Sequence, residues 1–484
     1  MKLNDLINGL DKIETMGNLS SEIVSIEYDS RKVKSGSLFI AIQGLTFDGN
    51  TFIREALKRR AAGIVTDRPE SRTNIPTIIV PDARKAMAVM SDKFYGSPQN
   101  AIVMTAVTGT NGKTTVAYMI KSIFDASGIG CGLIGTIEHI IGKKTIESVN
   151  TTPESRDIHA LLSEIIEANQ HACIMEVSSH ALALSRVHGI QFRTVAFTNI
   201  SRDHLDFHGS FKEYLDAKSL LFSSLSGDSA AVVNMDDPGA EHIINVSRGG
   251  KVLTFGFNED CDIHPVFFEL GTRSSRVVLS TPSGEMEFTL QIPGRFNISN
   301  AMAAAGIGLA CGLPPNPITS GLETLKSVRG RYEIIDEGQN FTVIIDYAHT
   351  PDALESILSS AREIKKGHLI SVFGCGGDRD KGKRPEMGEI STRIADYTII
   401  TSDNPRTEKP EDIISDILKG INKIAECKTF VDREKGILEA LKIAGPDDTI
   451  VIAGKGHEDY QIIGDEKKYF NDSETVRRLI KAMK

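Results

Sequence analysis

Short apolar runs alternate with amphipathic stretches along most of the chain. Residues 171–179 (HACIMEVSS), 194–201 (TVAFTNIS) and 230–236 (AAVVNMD) have the length and composition of buried strands. The stretches between most of these runs place apolar residues at helical spacing. Such alternation is typical of βαβ units, in which parallel strands form one sheet.

Two interruptions divide this pattern into domains. The polar turn at 96–100 (GSPQN) precedes a buried strand, and the strand pattern restarts after 325–333 (LKSVRGRYE). The later strands are predicted in 342–350 (TVIIDYAHT), 369–377 (LISVFGCGG), 396–404 (DYTIITSDN) and 448–456 (DTIVIAGKG). We predict an α/β fold with three domains. These are a small α/β domain at 1–98, a P-loop-type parallel-sheet domain at 99–330 and a Rossmann-like domain at 331–484.

Composition narrows the classes of function. The 484 residues carry a formal net charge of -9, which argues against a general nucleic-acid binder. The six cysteines form no C-x-x-C pair, so a zinc ribbon is not expected. The start of the chain lacks the continuous apolar region of a signal peptide, and 298–313 is too short and polar for a membrane span. We expect a cytoplasmic, monomeric protein without membrane insertion.

The segment Thr108–Thr115 (TGTNGKTT) has the chemistry of a phosphate-binding loop. It follows a predicted strand and precedes apolar residues at helical spacing in 116–124, with Gly128 as the expected helix stop. Val107 stands where the common G-x-x-x-x-G-K-[ST] pattern has glycine, so this is a shorter version. Lys113 would meet the β and γ phosphates of ATP, and Thr114 would help to hold Mg²⁺.

Two further side chains are expected near the same nucleotide. Glu176 ends one predicted strand and His204 follows another, so both could reach the metal side of the cleft. His204 and His208 are four residues apart, as in some zinc helices, but no third ligand or H-E-x-x-H glutamate accompanies them. A hydrogen-bonded loop histidine is the alternative for His204.

Several further motifs, in one order, resemble the Mur ligase superfamily, whose members join amino acids to a nucleotide-linked carboxylate through an acyl phosphate. The resemblance covers nearly all the chain and rests on YDSRKVKSGSLFIAIQG, TGTNGKTT, NTTPES, MEVSSHAL, TNISRDHLD, DAKSLLF, GRFNISNA, GRYE, DYAHTPDALE, FGCGGDRDKGKRP, SDNPR and AGKGHE. It implies that the first domain binds a UDP-linked acceptor, the central domain ATP and Mg²⁺, and the third domain an amino acid.

The resemblance also implies roles for individual residues. The ATP set is Gly109, Thr110, Asn111, Gly112, Lys113, Thr114, Thr115, Asn297, Arg331 and Asp346, with His349 beside the adenine. The UDP-substrate set is Ser30, Thr151, Thr152, Ser178 and Arg186, with Ser179 as a substitute for Ser178. Leu184 stands where many members have glutamine, which removes one polar UDP contact. The implied catalytic set is Lys113, Glu176, His204 and Lys218, and the metal set is Thr114, Glu176, His204 and Lys218.

Lys218 in DAKSLLF resembles the lysine that this family carbamylates to N6-carboxylysine. A carbamate replaces a positive charge by a negative one and can coordinate a cation, whereas an ammonium would repel it. Without the resemblance, Lys218 would read as an ordinary lysine on an amphipathic helix.

The segment SDNPR resembles the signature of members that add meso-2,6-diaminopimelate. This amino acid carries a second carboxylate, which the Arg406 guanidinium could hold through two parallel hydrogen bonds. The implied diaminopimelate set is Arg379, Asp403, Asn404, Pro405, Arg406, Gly454 and Glu458. The acceptor implied by the closest resemblance is UDP-N-acetylmuramoyl-L-alanyl-D-glutamate, a precursor of peptidoglycan.

Three other functions remain open from the sequence. A lysine-adding homologue would share nearly all these motifs but usually lacks the arginine at 406, and a folylpolyglutamate-type ligase would lack the UDP-type first domain. A noncatalytic nucleotide-binding regulator would keep the fold without the chemistry. Lys113, Glu176, His204 and Lys218 together argue against that reading.

Overall fold

The computed structural model describes residues 1–44, 47–247, 249–422 and 424–484. It has the predicted α/β fold, with sheets and helices grouped into three successive domains. Across these described ranges, every helix is too short or too polar to cross a membrane.

The N-terminal domain is one small sheet with helices against it. Its strands are β1 (Glu14–Met16), β2 (Ser25–Glu27), β3 (Ser37–Ala41), β4 (Gly63–Thr66) and β5 (Thr77–Ile79), in the order β1-β5-β4-β3-β2. Only β1 runs antiparallel to its neighbour among the strands described there. The helices are α1 (Leu3–Ile7), α2 (Ile53–Lys58) and α3 (Ala83–Phe94), with 3₁₀ turns at Ser30–Lys32, Gly49–Phe52 and Pro98–Ala101.

The central domain is built on a sheet that is parallel over most of its width. Its strands are β6 (Val103–Thr108), β7 (Cys131–Ile134), β8 (Glu138–Ile141), β9 (Lys144–Glu147), β10 (Ala172–Glu176), β11 (Thr194–Phe197), β12 (Ala230–Asn234) and β13 (Lys251–Phe255). The order is β13-β12-β11-β6-β10-β7-β8-β9, and β8 and β9 add an antiparallel edge that the strand pattern did not predict. The predicted runs at 171–179, 194–201 and 230–236 contain β10, β11 and β12.

Helices cover both faces of this sheet, and a second sheet extends the domain. The helices are α4 (Lys113–Ala126), α5 (Ser155–Glu167), α6 (Ser179–Ala183), α7 (Leu205–His208), α8 (Phe211–Ser223), α9 (Ala240–Val246), α10 (Arg295–Ala310) and α11 (Pro315–Thr324). The second sheet is antiparallel and consists of β14 (His264–Leu270), β15 (Ser275–Ser280) and β16 (Met286–Leu290). Its short strands and turns gave no βαβ signal in the sequence.

Helix α10 contains most of the Ala/Gly-rich segment 298–313 and is closely packed. Eleven of its sixteen residues are buried. A Cβ at Gly306 would come within 2.6 Å of a Val232 methyl group, and one at Gly308 within 3.0 Å of Ile318. The small residues therefore serve close packing against the sheet and α11 rather than contact with lipid.

The C-terminal domain repeats the parallel-sheet architecture. Its strands are β17 (Glu333–Ile335), β18 (Thr342–Asp346), β19 (Leu369–Phe373), β20 (Tyr397–Thr401), β21 (Glu426–Phe430) and β22 (Thr449–Ala453), in the order β17-β18-β22-β19-β20-β21, with β17 antiparallel to β18. A separate hairpin pairs β23 (Tyr460–Ile463) with β24 (Glu466–Tyr469). The helices are α12 (Pro351–Ile364), α13 (Lys383–Ile394), α14 (Pro410–Leu418), α15 (Arg433–Ile443) and α16 (Asp472–Met483).

Polar contacts join the first two domains. The Tyr28 hydroxyl donates to Asp157 Oδ2 at 2.5 Å, and Arg84 Nη1 donates to Glu154 Oε2 at 2.8 Å. Both acceptors belong to the segment that leads into α5 or to its first turn. The N-terminal domain is thereby fixed beside the beginning of that helix.

The central and C-terminal domains also touch directly. Arg331 Nη2 donates to Thr114 Oγ1 at 3.2 Å, and Arg202 forms an exposed ion pair with Asp380 at 3.3 Å. Gly330 packs so tightly against the backbone at 456–457 that a Cβ there would collide with it. The connection between the two domains therefore lies next to the phosphate-binding loop.

Candidate nucleotide-binding and ligase site

A cleft of about 480 Å³ opens at the carboxyl end of β6, between the central and C-terminal domains. Strand β6 lies between β10 and β11, so the ends of these two strands flank the loop that follows it. Most of the cleft wall comes from 110–115, most of 198–204, 346–349 and the first half of α12, together with Thr136, Thr151, Asp237, Phe255, Phe296, Ser299, Asn300 and Arg331. This is the edge at which parallel α/β sheets bind ligands.

The loop after β6 has the close backbone packing that a phosphate site needs. Gly112 has φ 85°, and a Cβ there would come within 2.5 Å of Asn300 Oδ1. A Cβ at Gly109 would collide with the Thr198 hydroxyl. Helix α4 begins at the next residue, Lys113, so its free N–H groups face the cleft. Glycine is required at both positions for the loop to turn into the helix.

Lys113 folds back over this loop. Its Nζ donates to the carbonyl oxygens of Gly109 and Thr110, both at 2.8 Å. Burial lowers the pKa of Lys113, against the opposing attraction of Glu176 and Asp203. The amine therefore lies at the mouth of the loop, where an anionic phosphate would replace its carbonyl partners.

Glu176 anchors a network of hydroxyl groups on the other side of the loop. The fully buried carboxylate accepts hydrogen bonds at 2.8 Å from the Thr114 hydroxyl and from both the backbone N–H and the hydroxyl of Thr136. Thr114 also accepts the hydrogen bond from Arg331. Thr136 belongs to none of the sequence motifs. Its two contacts hold the Glu176 carboxylate in one orientation.

Lys218 reaches the same loop from α8. Its side chain is buried, its Nζ donates to Gly109 O at 2.8 Å, and it lies 4.5 Å from the centre of the Tyr214 ring. Burial, together with repulsion from Lys113, lowers the pKa of the Lys218 amine well below its ordinary value. A buried lysine with a lowered pKa is an unprotonated amine over a wider pH range than a surface lysine.

His204 stands at the rim of the cleft in a left-handed conformation, with φ 54°. Its Nε2 lies 3.4 Å from Asp203 Oδ2, and its ring meets the His180 ring edge-on at 4.7 Å. His180 is itself stacked on Phe207 at 4.2 Å. Burial lowers the pKa of His204 to about 4, which leaves its ring neutral and able to act as a ligand at neutral pH.

Of the remaining predicted ATP residues, Asp346 and His349 line the cleft and Asn297 does not. Asp346, at the end of β18, lines the cleft and accepts hydrogen bonds at 2.8 Å from the N–H groups of Tyr332 and Ala348. His349 also lines it. Asn297 is buried within α10, where it donates to Pro293 O at 2.8 Å and accepts from Asn300 at 3.0 Å. In the described chain its neighbour Asn300, not Asn297, faces the cleft.

The predicted UDP-substrate residues of the central domain form one connected group. The Thr152 hydroxyl donates to Glu176 O at 2.8 Å and accepts from Ser178 N at 3.1 Å, while Arg186 Nη1 donates to Thr152 O at 2.8 Å. Thr151 lies within hydrogen-bond distance of Thr136 and lines the nucleotide cleft. The predicted UDP-substrate residues therefore adjoin the nucleotide cleft, and Thr151 belongs to both.

The other residues of this set occupy different positions in the fold. Ser30 is a buried residue at the start of a 3₁₀ turn in the N-terminal domain. Ser179 donates to or accepts from His208 Nε2 at 2.9 Å, and Leu184 is the residue that caps the end of α6.

Glu154 is the acceptor-side residue that sequence reasoning missed. Its Oε1 lies 2.9 Å from Arg186 Nη2 and its Oε2 lies 2.8 Å from Arg84 Nη1, so one carboxylate joins residues of two domains. The NTTPES motif contains Glu154 next to the two threonines, Thr151 and Thr152, to which the resemblance assigns a role. The signal in the sequence is an acidic residue, Glu154, within a motif that is predicted to bind the same ligand as Arg186.

The predicted amino-acid residues gather at the carboxyl ends of β20 and β22. Asn404 Nδ2 donates to Glu458 Oε2 at 2.9 Å, and a Cβ at Gly454 would come within 2.6 Å of Asp403 Oδ2. Arg406 Nη1 donates to Gly377 O at 2.7 Å, which places the guanidinium beside the loop that carries Arg379. Pro405 connects Asn404 to Arg406, and Arg379 is exposed.

Lys455 is a buried cation in this group that the sequence did not single out. Its Nζ lies 3.0 Å from Glu458 Oε2 and 3.4 Å from Asn404 Oδ1. Its positive charge offsets the negative charge of Glu458. Within the described ranges, none of the predicted amino-acid residues lines the nucleotide cleft.

The fold and these sites define a nucleotide-binding protein of three α/β domains with a phosphate loop at the central sheet. Family models match each domain: the Mur ligase family catalytic domain over residues 22–95, the Mur ligase middle domain over 107–308, and the Mur ligase glutamate ligase domain over 330–456.

Full-length relatives agree with these matches. A protein of Bacillus licheniformis named UDP-N-acetylmuramoyl-L-alanyl-D-glutamate--2,6-diaminopimelate ligase is 43% identical over 491 residues, covering 100% of both chains. A protein of Clostridium acetobutylicum with the same name, numbered 1, is 43% identical over 486 residues, again covering 100% of both. A solved structure described by that enzyme name superposes with a TM-score of 0.71 at 29% identity, covering 100% of this chain and 99% of the other. The chain belongs to the Mur ligase family.

Proposed function

We propose that this protein joins meso-2,6-diaminopimelate to the glutamyl carboxylate of UDP-N-acetylmuramoyl-L-alanyl-D-glutamate, driven by ATP, in peptidoglycan biosynthesis. The observation that carries the proposal is the end-to-end similarity to relatives named for this reaction. The segment Asp403–Arg406, which sequence analysis linked to diaminopimelate, contacts Glu458 through the side chain of Asn404. The proposed site of action is the cytoplasm, with a monomer as the working form and no nucleic-acid partner.

The nucleotide would bind in the cleft at the end of β6. The N–H groups at the start of α4 and the Lys113 amine would hold the β and γ phosphates. The carboxylate of Asp346 would accept from the ribose, and His349 would lie against the adenine. Arg331, which touches Thr114, adds a second cation on the phosphate side. Asn297 acts through Asn300, to which it is hydrogen-bonded.

The oxygen-rich lining on the phosphate side fits Mg²⁺. The Thr114 hydroxyl and the Glu176 carboxylate lie 2.8 Å apart, and hard oxygen ligands of this kind suit Mg²⁺ together with phosphate oxygens. His204 and a carbamylated Lys218 would complete the ligands on the other side of the loop. When bound, Mg²⁺ supplies positive charge that neutralises the transferring phosphoryl group.

Carbamylation of Lys218 is supported by its environment. The amine is buried against Gly109 O, beside Lys113, with a lowered pKa. A neutral amine can attack carbon dioxide, forming an N–C bond and losing a proton to give the carbamate. The product places a negative charge beside the Lys113 amine where the neutral Lys218 amine had none, and its attraction to the protonated Lys113 stabilises both side chains in the site.

The acceptor would lie across the first two domains. Four hydroxyl groups and one guanidinium would contact the UDP-sugar part, and they belong to Ser30, Thr151, Thr152, Ser178 and Arg186. Arg186 is oriented by Glu154 and by Thr152 O. Because Thr151 also lines the nucleotide cleft, the acceptor's carboxylate can reach the γ phosphate from this side.

Chemistry would proceed in two displacements. A glutamyl carboxylate oxygen attacks the γ phosphorus of ATP, the bond to the β–γ bridging oxygen breaks, and ADP leaves with an acyl phosphate formed. The neutral amine of diaminopimelate then attacks the acyl carbon, inorganic phosphate leaves and the nitrogen loses a proton. Lys113 stabilises the charge on the transferring phosphoryl group, and the protein mainly positions three anionic reactants.

Arg406 and Glu458 would select the amino acid. The distal carboxylate of diaminopimelate matches the fork of the Arg406 guanidinium, one nitrogen of which is used by Gly377 O. Glu458 would exchange its contact with Lys455 for a substrate ammonium. Because none of the predicted amino-acid residues lines the nucleotide cleft within the described chain, we expect the C-terminal domain to turn toward the cleft before the second displacement.

The test is product formation from defined substrates. The purified protein is incubated with ATP, Mg²⁺ and UDP-N-acetylmuramoyl-L-alanyl-D-glutamate, and phosphate release and product mass are compared for meso-diaminopimelate and lysine. Product with diaminopimelate alone supports the proposal. Preference for lysine refutes the assigned specificity, and failure to form product with either amino acid refutes the proposed reaction.

A further inference from the structure

The segment Asp403–Arg406 is held along its length by the first strand of the β23–β24 hairpin. Gln461 Nε2 donates to Asp403 O at 2.9 Å, and Ile462 N donates to Asn404 Oδ1 at 3.0 Å. At the end of the segment, Arg406 N donates to Ile462 O at 3.0 Å. Strand β23 thus contacts both the beginning and the end of the segment in one register.

Arg406 needs this support because of its backbone. It has φ 53°, a left-handed conformation that few residues other than glycine adopt. The two backbone groups of Arg406 are both used by the hairpin, since Gly464 N donates to Arg406 O at 2.7 Å. Gly464 has φ 60° at the first position of a two-residue turn, as a tight hairpin requires.

The aim of the Arg406 side chain follows from that backbone. Its Nη1 reaches Gly377 O at 2.7 Å, and a Cβ at Gly376 would come within 2.9 Å of the same nitrogen. The guanidinium therefore occupies a slot with little lateral freedom. A slip of one residue along β23 would break the two backbone hydrogen bonds that hold Arg406 in its left-handed conformation, and the guanidinium would then leave this slot.

The hairpin also reaches the other charged members of the pocket. Lys455 Nζ lies 5.3 Å from the centre of the Tyr460 ring on β23, and the same Nζ contacts Glu458. Asn404 is shared, because its Oδ1 accepts from Ile462 N while its Nδ2 donates to Glu458. Strand β23 is therefore bonded both to Arg406 and to Asn404, the residue that contacts the Glu458 carboxylate.

We propose that hairpin β23–β24 sets the amino-acid specificity of this ligase, with Gln461 as a positioning residue that fixes the register of Asp403–Arg406 and so the separation between the Arg406 guanidinium and the Glu458 carboxylate. This inference rests on the proposed function. The distance between the Arg406 guanidinium and the Glu458 carboxylate must match a diamino acid with a carboxylate at each end. We add that this distance is set by the β23–β24 hairpin, which lies outside the residues predicted to bind the substrate.

The test removes the hydrogen bond of the Gln461 side chain, because Asn404, the other side chain bonded in this clamp, also contacts Glu458. Gln461→Met keeps the length of the side chain and removes the donor, and Gln461→Glu keeps its shape and removes the donor. Agreement between them separates loss of the hydrogen bond from a change of charge. The control is Lys468→Gln, because Lys468 is exposed and lies opposite Gln461 on β24.

We expect both Gln461 variants to raise the KM for diaminopimelate about tenfold, the effect of losing one hydrogen bond to a partly buried acceptor. The preference for diaminopimelate over lysine should fall by a similar factor, while the KM values for ATP and the UDP-linked acceptor stay within about twofold. Hydrogen exchange of a peptide covering 403–406 should quicken in both variants. Lys468→Gln should change none of these quantities.

Three outcomes would overturn the inference. An unchanged amino-acid preference in folded Gln461 variants would show that the clamp does not set specificity. An equal rise in all three KM values would show a general structural role, and an equal effect of Lys468→Gln would assign the change to hairpin stability. Failure of the proposed function itself appears separately, as a wild-type protein that does not use diaminopimelate; the change in preference is then scored on the amino acid that it does use.

Discussion

Lys113 and Lys218 donate hydrogen bonds to the same acceptor, the carbonyl oxygen of Gly109, each at 2.8 Å. One amine comes from the start of α4 and the other from the middle of α8. Burial is the main cause of the lowered pKa of each amine, and repulsion from Lys113 adds to the shift at Lys218. Two buried ammonium groups at one carbonyl would be unfavourable, so the site favours a neutral or modified Lys218.

The first prediction concerns that modification. Protein equilibrated with bicarbonate should carry the added mass of one carbon dioxide at Lys218, and acid should release it. Lys218→Met should lower kcat by about 10²-fold, because an anion that faces the phosphoryl-transfer site is lost. Native mass spectrometry and steady-state kinetics measure the two effects.

The matched control is Lys212→Met, since Lys212 is an exposed residue of the same helix. It should keep full activity and leave the bicarbonate-dependent mass unchanged. A Lys218→Met protein that is folded and fully active would refute the assigned role of this lysine.

The second prediction follows from the direction of the Lys218 pKa shift. In buffer free of carbon dioxide, the folded state binds fewer protons at this lysine than the unfolded state, whose lysine titrates near pH ~10.4. The free energy of unfolding should therefore rise with pH up to about that value. Lys218→Met should make this rise shallower, by up to about 1.4 kcal/mol per pH unit.

Urea unfolding at several pH values between roughly 7 and 10 measures this slope. Lys113 contributes in the same direction, so the variant should keep part of the rise. Equal slopes for the wild type and Lys218→Met would mean that Lys218 is charged in the folded protein.

Much of the central and C-terminal sheets was predictable because their buried parallel strands are continuous apolar runs. The run at 171–179 contains β10, and that at 448–456 contains β22. Helix α4 begins at Lys113, three residues before the predicted start, because the sequence pattern registers apolar periodicity and not the first turn over the phosphate loop. The β14–β16 sheet and the β23–β24 hairpin escaped prediction because short antiparallel strands mix apolar and polar residues.

The residues of the candidate site that belong to recognisable motifs could be predicted from the sequence. The three side chains Lys113, Glu176 and Lys218 meet around one loop because β6 lies between β10 and β11. This meeting could not be predicted from the motifs alone, because they do not give the order of the strands in the sheet. Glu154 and Gln461 act on other residues through hydrogen bonds, and neither stands out in the sequence. The roles of the individual site residues stay predictions until they are measured.

The third prediction concerns Glu154, which joins Arg84 of the N-terminal domain to Arg186. Glu154→Gln should raise the KM for the UDP-linked acceptor about tenfold, because a charge-assisted contact that orients Arg186 is weakened. Arg84→Met should have a similar though smaller effect. The KM for the amino acid should stay constant, as measured by varying each substrate in turn.

Glu164→Gln is the control for this change, since Glu164 belongs to the following helix α5 and pairs with Lys144 at its surface. It should leave all KM values unaltered. An acceptor KM that is the same in wild type and Glu154→Gln would show that Arg186 is oriented without Glu154.

The fourth prediction separates charge from geometry at Arg406. Arg406→Met should lower kcat/KM for diaminopimelate by about 10²-fold, because the second carboxylate loses its partner, while kcat/KM for lysine should change little. Arg406→Lys should recover only part of the loss, since an ammonium cannot form two parallel hydrogen bonds with one carboxylate. Arg393→Met, at an exposed arginine of α13, is the control. If Arg406→Lys matched the wild type, the pocket would be selecting charge alone, and the fixed aim of the guanidinium at Gly377 O would have no part in specificity.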